Sequence, residues 1–272
     1  MQQLQQRLGS IALIGGGKMG EAIVSGLIKG TGFDADGICV AEPFEERWPV
    51  LNGLYGVRCV ADGSEIADAD TFILAVKPQI MDEVASSLAA AAGFAPQRVI
   101  SIAAGVTTTA LTRFFTDTAV IRVMPNINLS VSAGMSVVAP AEGTSMAEAE
   151  LVCELFSQMG KAVVIDEGLI DAATAVNGSG PAYFALFAEE LAAAGAEAGI
   201  PEDIAKILAT QTLIGTGRYL QMTEESPAEL RAAVTSPGGT TQAALESFAE
   251  QGFGAVVREA FAACLKRARE LG

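Results

Sequence analysis

The sequence predicts an α/β fold in which a doubly wound, mainly parallel sheet is followed by an all-helical domain. Three observations predict it. An apolar strand at residue 11 runs directly into a glycine-rich turn and a helix. Short apolar strands then alternate with helical stretches up to Asp166, and no strand pattern follows Leu169. Because alternating strands and helices form βαβ units with right-handed crossovers, the predicted domains are residues 1–166 and 167–272.

The first strand, turn and helix begin with the sequence IALIGGGKMG over Ile11–Gly20. Gly15, Gly17 and Gly20 have the spacing of a Rossmann-type dinucleotide site. The first glycine permits the tight turn, the second lets the backbone approach a pyrophosphate, and the third lets the helix pack close to the strand. The free N–H groups at the start of the helix then face the phosphates.

The other elements follow from apolar periodicity. The last two predicted strands are expected to be edge strands around a helix over 148–158. Beyond them, helical spacing covers 183–198, 203–220 and 255–270, and these alanine-rich helices are apolar on more than one face, which favours burial against a second subunit. The predicted strands after the first are 37–41, 56–60, 71–76, 98–101, 119–124, 135–139 and 162–165.

Composition excludes several classes of function. The chain has 272 residues, half of them hydrophobic, and a formal net charge of −15, which argues against nucleic acid or an anionic membrane as partner. It has no histidine and no CxxC pair, so we expect no metal site and no histidine acid/base catalysis. The N-terminal residues lack the apolar core of a signal peptide, and no apolar run is typical of a membrane span. The four cysteines are scattered along the chain: Cys39, Cys59, Cys153 and Cys264. From these observations together we expect a soluble cytoplasmic protein.

Ligands of a doubly wound sheet bind beyond the carboxyl ends of its strands. Three segments at those ends are candidates: Ala75–Gln79, where Lys77 precedes the helix-starting Pro78, the small residues of Ser101–Gly105, and Met124–Asn126. Each alone is consistent with an ordinary tight connection. Together they would line one rim of one sheet.

The end of the second strand contacts the adenosine ribose in this kind of fold. Glu42 lies where the acidic ribose ligand of NAD enzymes is expected, and an acid there repels a 2′-phosphate. Arg47, about one turn further along, is placed to accept such a phosphate. The sequence leaves the choice between NADH and NADPH open.

The helical domain carries two glycine-rich turns, Asn177–Tyr183 and Val234–Thr241. The first is also consistent with a helix cap and stop. In the second, Ser236-Pro-Gly-Gly-Thr-Thr opens a helix, so that its leading N–H groups and hydroxyls converge. This arrangement predicts a carboxylate site in a strongly acidic chain.

Five motifs follow one another along nearly the whole chain: Gly15–Gly20, Ala75–Pro78, Arg122–Asn126, Gly178–Tyr183 and Val234–Thr241. Together they resemble the motifs of the pyrroline-5-carboxylate reductase family. The resemblance implies reduction of the cyclic imine Δ1-pyrroline-5-carboxylate to L-proline, the last step of proline biosynthesis. It implies NADPH as cofactor, with NADH as the alternative, and a homodimer formed through the helical domain, with a larger ring such as a decamer as a further option.

The resemblance also implies site residues. Thr241 matches the hydroxyl placed at the ring nitrogen and is the predicted catalytic residue. The implied substrate-binding residues are Ser236, Gly238, Gly239, Thr240, Thr241, Glu167 and Glu224. The predicted cofactor-binding residues, from the resemblance and the strand ends together, are Ile14, Gly15, Gly16, Gly17, Lys18, Met19, Glu42, Arg47, Ala75, Val76, Lys77, Pro78, Ile102, Ala103, Ala104 and Asn126.

Three departures from the family pattern lie beside these positions. Ile127-Asn128 replaces Thr-Pro, Asn177 replaces a small hydroxyl residue, and Asp62-Gly63 replaces an asparagine near the adenosine.

Two alternatives remain at this point. One is an enzyme like the β-hydroxyacid dehydrogenases, although the lysine that those enzymes use as acid/base is absent from Asn177–Tyr183. The other is a non-catalytic dinucleotide-binding regulator, against which the intact Ser236–Thr241 loop argues.

Overall fold

A computed structural model describes residues 2–30 and 32–271. The described chain forms one eight-stranded sheet in the order β3-β2-β1-β4-β5-β6-β7-β8. All neighbouring strands are parallel except β6 and β7, which are antiparallel. The strands are β1 (Ile11–Ile14), β2 (Ile38–Ala41), β3 (Arg58–Val60), β4 (Thr71–Leu74), β5 (Arg98–Ser101), β6 (Ala119–Met124), β7 (Gly134–Pro140) and β8 (Gly160–Val164).

The helices of the first part of the chain connect these strands, and those of the second part follow one another without a strand among the described residues. They are α1 (Gln2–Leu8), α2 (Lys18–Ser25), α3 (Trp48–Tyr55), α4 (Met81–Ala90), α5 (Thr108–Thr112), α6 (Met146–Ser157), α7 (Ile170–Ala173), α8 (Gly180–Glu197), α9 (Glu202–Thr223), α10 (Pro227–Ala233), α11 (Thr240–Glu250) and α12 (Phe253–Leu271).

The predicted fold class is confirmed. Strand β1 pairs with β2 on one side and β4 on the other, with Ile11 opposite both Ile38 and Thr71. The strand order therefore reverses beside β1, and the crevice of a doubly wound sheet lies outside the carboxyl ends of the strands at such a point.

One strand position was predicted wrongly. Strand β7 is not an edge strand, because it lies between β6 and β8. The short 3₁₀ segment Ile127–Val131 follows β6, and the chain then returns antiparallel to it. Such a return needs no crossover helix, so the strict alternation assumed from the sequence ends at β6.

The core has two layers because successive strand residues face opposite sides of the sheet. On one face Ile11, Leu13 and Val40 pack with apolar residues of α1, α2, α3 and α6. On the other face Ile14 and Phe72 pack with apolar residues of α4 and α5. Because helices cover both faces of the sheet, both faces of these short parallel strands are apolar.

The described chain divides into two compact units. The first comprises the residues up to Ser179 together with those from Leu265 onward, and the second is Gly180–Cys264. The sequence places the domain boundary after Asp166 instead, and the segment between the two positions contains α7.

Candidate active site

The glycine loop follows β1 and starts α2. Gly15 has a φ of +104°, a conformation that favours glycine. A Cβ at Gly20 would overlap the carbonyl oxygen of Gly15, whereas a Cβ at Gly17 would meet nothing within 4 Å. Gly17 is the N-cap of α2 and is exposed, as is Lys18, while Met19 is half-buried. Gly15 therefore forms the tight turn, Gly17 leaves its backbone open to solvent, and Gly20 allows α2 to pack closely on β1, as the glycine spacing predicts.

Glu42 and Arg47 both lie against this loop. Glu42 follows β2 directly and is only 5% exposed, and its carboxylate accepts the N–H of Gly16 at 2.8 Å. Arg47 ends the turn Glu45–Arg47 and donates to the carbonyl of Gly16 at 2.9 Å. Their contacts with a ribose and with a 2′-phosphate stay predictions.

The loops after β4 and β5 reach the same edge of the sheet. The N–H of Ala75 donates to the carbonyl of Ile14 at 2.8 Å, and the N–H of Ile102 donates to that of Leu74 at 3.1 Å. Among the other predicted cofactor residues here, Ala103 is buried and Val76 half-buried, while Lys77, Pro78 and Ala104 are exposed. The loops after β4 and β5 therefore lie side by side at this edge, and their contact with a cofactor stays a prediction.

A cavity of about 280 Å³ lies at the carboxyl ends of β1 to β4, lined among others by Ile14, Ala41, Asp62 and Val76. The carboxylate of Asp62 accepts the N–H of Ser64 at 2.8 Å. Hydrogen bonding to Ser64 holds the pKa of Asp62 below its ordinary value. The departure at Asp62 therefore adds a fixed negative charge at this end of the site.

The end of β6 is fixed by two asparagines. The amide nitrogen of Asn126 donates to the carbonyl of Asn177 at 3.0 Å, and its oxygen accepts the N–H of Met135 at 3.2 Å. The amide nitrogen of Asn177 donates to the carbonyls of Met124 and Met135, both at 3.0 Å. Because one amide nitrogen carries two N–H donors, Asn177 joins β6 to β7 in a way that a single hydroxyl cannot. Both amides serve the backbone here, and contact of Asn126 with a cofactor stays a prediction.

Sequence reasoning missed an ionic cluster in which two half-buried carboxylates lie beside the buried Arg122 of β6. The Arg122 side chain is 5% exposed and lies 3.5 Å from a carboxylate oxygen of Glu167 and 3.7 Å from one of Asp171. Glu167 also accepts the N–H and the hydroxyl of Thr108, at 2.7 and 2.5 Å. Glu167, a predicted substrate residue, is thus bonded to the start of α5. An arginine inside an apolar strand was the one signal for this cluster.

The predicted substrate loop lies in the second unit and opens α11. Gly238 has a φ of +70°, and Gly239 is the N-cap. The N–H of Gly238 donates to the side chain of Gln242 at 2.7 Å, and that of Gly239 donates to the carbonyl of Ser236 at 3.0 Å. The N–H groups of a helix's first turn have no acceptor within the helix. Because the N–H groups of Gly238 and Gly239 are already bonded, the donors that this loop offers to a ligand start at Thr240 rather than at Gly238. The sequence did not predict this shift, because it depends on the side chain of Gln242.

The hydroxyl residues of the loop differ in exposure: Ser236 and Thr240 are exposed, whereas Thr241 is half-buried. Glu224, another predicted substrate residue, is exposed and ends α9 in a left-handed conformation with a φ of 58°. Its role in substrate binding stays a prediction.

Among the described residues, no group of three or more acidic, cysteine or histidine side chains is arranged to hold a metal ion. Within the same residues, no helix combines the length and apolarity required to cross a bilayer.

Comparisons with known proteins agree with this geometry. Residues 167–271 match the family model described as pyrroline-5-carboxylate reductase dimerisation, and residues 10–105 match that described as NADP oxidoreductase coenzyme F420-dependent. The chain is 42% identical to a pyrroline-5-carboxylate reductase of Synechocystis sp. over 96% of its own length and 98% of that protein.

Solved structures give the same picture. A pyrroline-5-carboxylate reductase from Coxiella burnetii superposes with a TM-score of 0.91 at 32% identity, covering 97% of this chain and 99% of that one. One from Plasmodium falciparum with NADP bound gives a TM-score of 0.83 at 25% identity, covering 97% and 98%.

The sheet, the glycine loop and these matches define an oxidoreductase with a Rossmann-type domain. Within that class, the chain belongs to the pyrroline-5-carboxylate reductase family. Family membership removes the β-hydroxyacid dehydrogenase alternative.

Proposed function

We propose that this chain reduces Δ1-pyrroline-5-carboxylate to L-proline with NAD(P)H, the last step of proline biosynthesis, in the cytoplasm. The observation that carries the proposal is the loop Ser236–Thr241 at the start of α11, in a chain that aligns from end to end with reductases of this name. A loop retained in that form argues against a dinucleotide-binding regulator that has lost its substrate site.

The residues of the loop match the chemistry of the substrate. Pyrroline-5-carboxylate carries one carboxylate beside a cyclic imine. The first-turn N–H groups of α11 suit the carboxylate, since helix N-termini bind anions. Thr241 is half-buried in the same turn, and its hydroxyl is the proposed hydrogen-bond partner of the ring nitrogen.

The reaction asks little acid/base chemistry of the protein. A nicotinamide supplies the hydride, which adds to the carbon of the C=N bond while the nitrogen keeps its proton as an amine. Because the imine nitrogen can take up its proton from water before binding, the protein needs no strong acid, which fits a chain without histidine. Orientation then provides the rate gain, and well-oriented reactions gain roughly 7–11 kcal/mol.

The test is steady-state oxidation of NADPH, then NADH, with and without pyrroline-5-carboxylate. We expect imine-dependent oxidation. Thr241→Ala should lower kcat about 10- to 100-fold, the range of a hydrogen bond to a charged group, while Thr241→Ser should retain most of it. An unchanged kcat/KM in Thr241→Ala would remove the role given to the hydroxyl. Cofactor binding without any oxidation would instead favour the regulator.

The chain is further proposed to act as a homodimer through its second unit, with assembly into a larger ring such as a decamer as the next step. Within one described chain, the buried apolar side chains of this unit are Ala192, Ala205 and Ala209. Large apolar side chains on α8, α9 and α12 are exposed, among them Phe184, Ile207 and Val256. Apolar surface of this extent marks a protein interface, and the matching family model is one of dimerisation.

For the cofactor, NADPH remains the expected partner and NADH the alternative. The resemblance supports NADPH, whereas the carboxylates of Glu42 and Asp62 at the adenosine end would repel a 2′-phosphate and so favour NADH. The ratio of kcat/KM for the two cofactors measures the choice.

A further inference from the structure

The carbonyl of Gly16 is held by a side chain from outside the glycine loop. Arg47 donates to it from Nη2 at 2.9 Å and from Nε at 3.3 Å. The same Nη2 donates to the carboxylate of Glu21 at 2.6 Å, and the other oxygen of that carboxylate accepts the hydroxyl of Tyr55 at 3.2 Å. The guanidinium is therefore fixed between the loop and the first helix.

The N–H of Gly16 is held by a second side chain. It donates to Oε2 of Glu42 at 2.8 Å, while Oε1 of Glu42 accepts the N–H of Phe44 at 3.0 Å. Both backbone groups of Gly16 are thus bonded by side chains from the segment that follows β2. We call Glu42 and Arg47 together the Gly16 clamp.

The clamp determines which way the next N–H points. A trans peptide is planar, so its C=O and N–H point in opposite directions, and no cis peptide occurs among the described residues. With the carbonyl of Gly16 directed at Arg47, the N–H of Gly17 points away from Arg47. Gly17 is exposed, and a Cβ there would meet nothing within 4 Å.

We propose that Arg47 is a positioning residue for the pyrophosphate of the dinucleotide. It holds the Gly16–Gly17 peptide in the orientation that presents the Gly17 N–H to the phosphates, and it does not bind an adenosine 2′-phosphate. The proposal deepens the proposed function, on which it rests only for the identity of the cofactor.

The physical need for such a residue follows from the glycines themselves. Three consecutive glycines, Gly15–Gly17, give the loop more conformational freedom than any other residues would. A rotated Gly16–Gly17 peptide would turn a carbonyl oxygen toward the phosphates. If the peptide is fixed before the cofactor binds, the loop loses less conformational entropy on binding and the affinity is higher.

The two roles of Arg47 predict different patterns of affinity. A residue that contacts a 2′-phosphate affects NADPH alone. A residue that orients the loop affects every ligand with a 5′-pyrophosphate by the same factor, including NADH and 5′-ADP. The ratio of the NADPH and NADH dissociation constants therefore separates the roles.

The experiment is calorimetric titration of the full-length protein with NADH, NADPH and 5′-ADP, without the imine. For Arg47→Met we expect all three ligands to bind about tenfold more weakly, with the NADPH/NADH ratio unchanged. The double variant Glu21→Gln/Arg47→Met leaves the net charge as in the wild type and should show the same loss, which excludes a purely Coulombic effect. Arg113→Met, an exposed arginine elsewhere, should bind all three ligands as the wild type does.

Two further measurements keep the test decisive. Arg47→Lys retains the positive charge without the planar fork, and it should recover only part of the affinity for each ligand. If Arg47→Met does not fold, the comparison of Arg47→Lys with the wild type takes its place. In steady state, KM for both cofactors should rise while kcat and KM for the imine stay unchanged.

Loss confined to NADPH, or unchanged binding of 5′-ADP, would overturn the proposal. Its failure is distinguishable from failure of the proposed function, because cofactor binding is measured without substrate. A protein that binds both cofactors but reduces no imine would contradict only the proposed function.

Discussion

The two units of the chain bury their apolar residues in different places. The first has cores on both faces of its sheet and also buries the charged side chains of Arg98 and Arg122. The second buries only small alanines within one described chain and exposes its large apolar side chains. The first unit thus resembles a complete domain, whereas the second resembles half of a core.

This difference separates two sources of stability. Interactions within the first unit belong to one chain, so their contribution does not depend on protein concentration. Interactions made by the exposed faces of α8, α9 and α12 would depend on it, since association stabilises by mass action. The predictions below use that dependence.

The largest effect is expected from Arg98→Met. Arg98 is 2% exposed on β5 and donates to Glu148 at 2.8 Å, to the hydroxyl of Thr71 at 2.7 Å and to the carbonyl of Leu8 at 3.1 Å. Removing it leaves the Glu148 carboxylate and a buried carbonyl without this partner. The free energy of unfolding should fall by about 3–5 kcal/mol in chemical denaturation.

The matched control is Arg113→Met, whose guanidinium lies 4.0 Å from Asp82 on the surface. It should change the unfolding free energy by less than about 0.5 kcal/mol, as is usual for exposed pairs. The Arg98→Met loss should be the same at low and high protein concentration. If the loss of unfolding free energy disappeared at high protein concentration, Arg98 would stabilise the association of chains rather than the core of a single chain.

The next effect concerns the second unit. Ile207 on α9 is 61% exposed in one chain. If this face meets a second copy, Ile207→Asp should weaken the dimer by about 2–4 kcal/mol, because a charge replaces an apolar contact at an interface. Sedimentation at several concentrations should show a shift toward monomer.

Leu54→Asp is the control for that experiment, since Leu54 is 59% exposed but lies in the first unit. Its sedimentation should match that of the wild type. If both variants keep the wild-type mass at every concentration, the α9 face is not the interface.

A smaller effect is expected within the glycine loop from Gly20→Ala. The added Cβ would overlap the carbonyl oxygen of Gly15 and approach Leu13, so α2 must move away from β1. We expect a loss of about 1–3 kcal/mol, the usual cost of overpacking, with weaker cofactor binding. Gly17→Ala should leave thermal unfolding almost unchanged while weakening cofactor binding, because the space at Gly17 is open. Equal unfolding temperatures for the two variants would contradict the roles given to these glycines.

The sequence predicts much of this fold because its signals are local. The strand Ile11–Ile14, the glycine spacing and the helices of the second unit each depend on residues a few positions apart. The antiparallel return of β7 was missed because pairing direction depends on how the chain turns after Asn126.

The candidate site was predicted less completely, because its contacts are distant in sequence. The bonds from Arg47 to Gly16 and from Gln242 to Gly238 use side chains with several donors or acceptors. Glu167, predicted from the resemblance to lie near the substrate, bonds Thr108 and Arg122 in the first unit. Such partners are determined by packing, which no spacing rule encodes.

The smallest predicted effect depends on pH and tests a polar brace of the first unit. One carboxylate oxygen of Asp70, beside β4, accepts the N–H and the hydroxyl of Ser10, both at 2.9 Å, and the other accepts from Gln97 at 3.2 Å. The Ser10 backbone N–H is the largest cause that holds the pKa of Asp70 below its ordinary value. A lowered pKa in the folded state contributes stability above the unfolded-state pKa, and this stability is lost as the pH falls through the folded-state pKa.

Asp70→Asn should therefore lower the unfolding free energy by about 0.5–1.5 kcal/mol at pH 7. The difference from the wild type should shrink as the pH falls through the ordinary aspartate range toward the lowered folded-state pKa, because the wild-type carboxyl takes up its proton over that range. A difference that stays constant down to pH 3 would show that the Asp70 charge does not contribute.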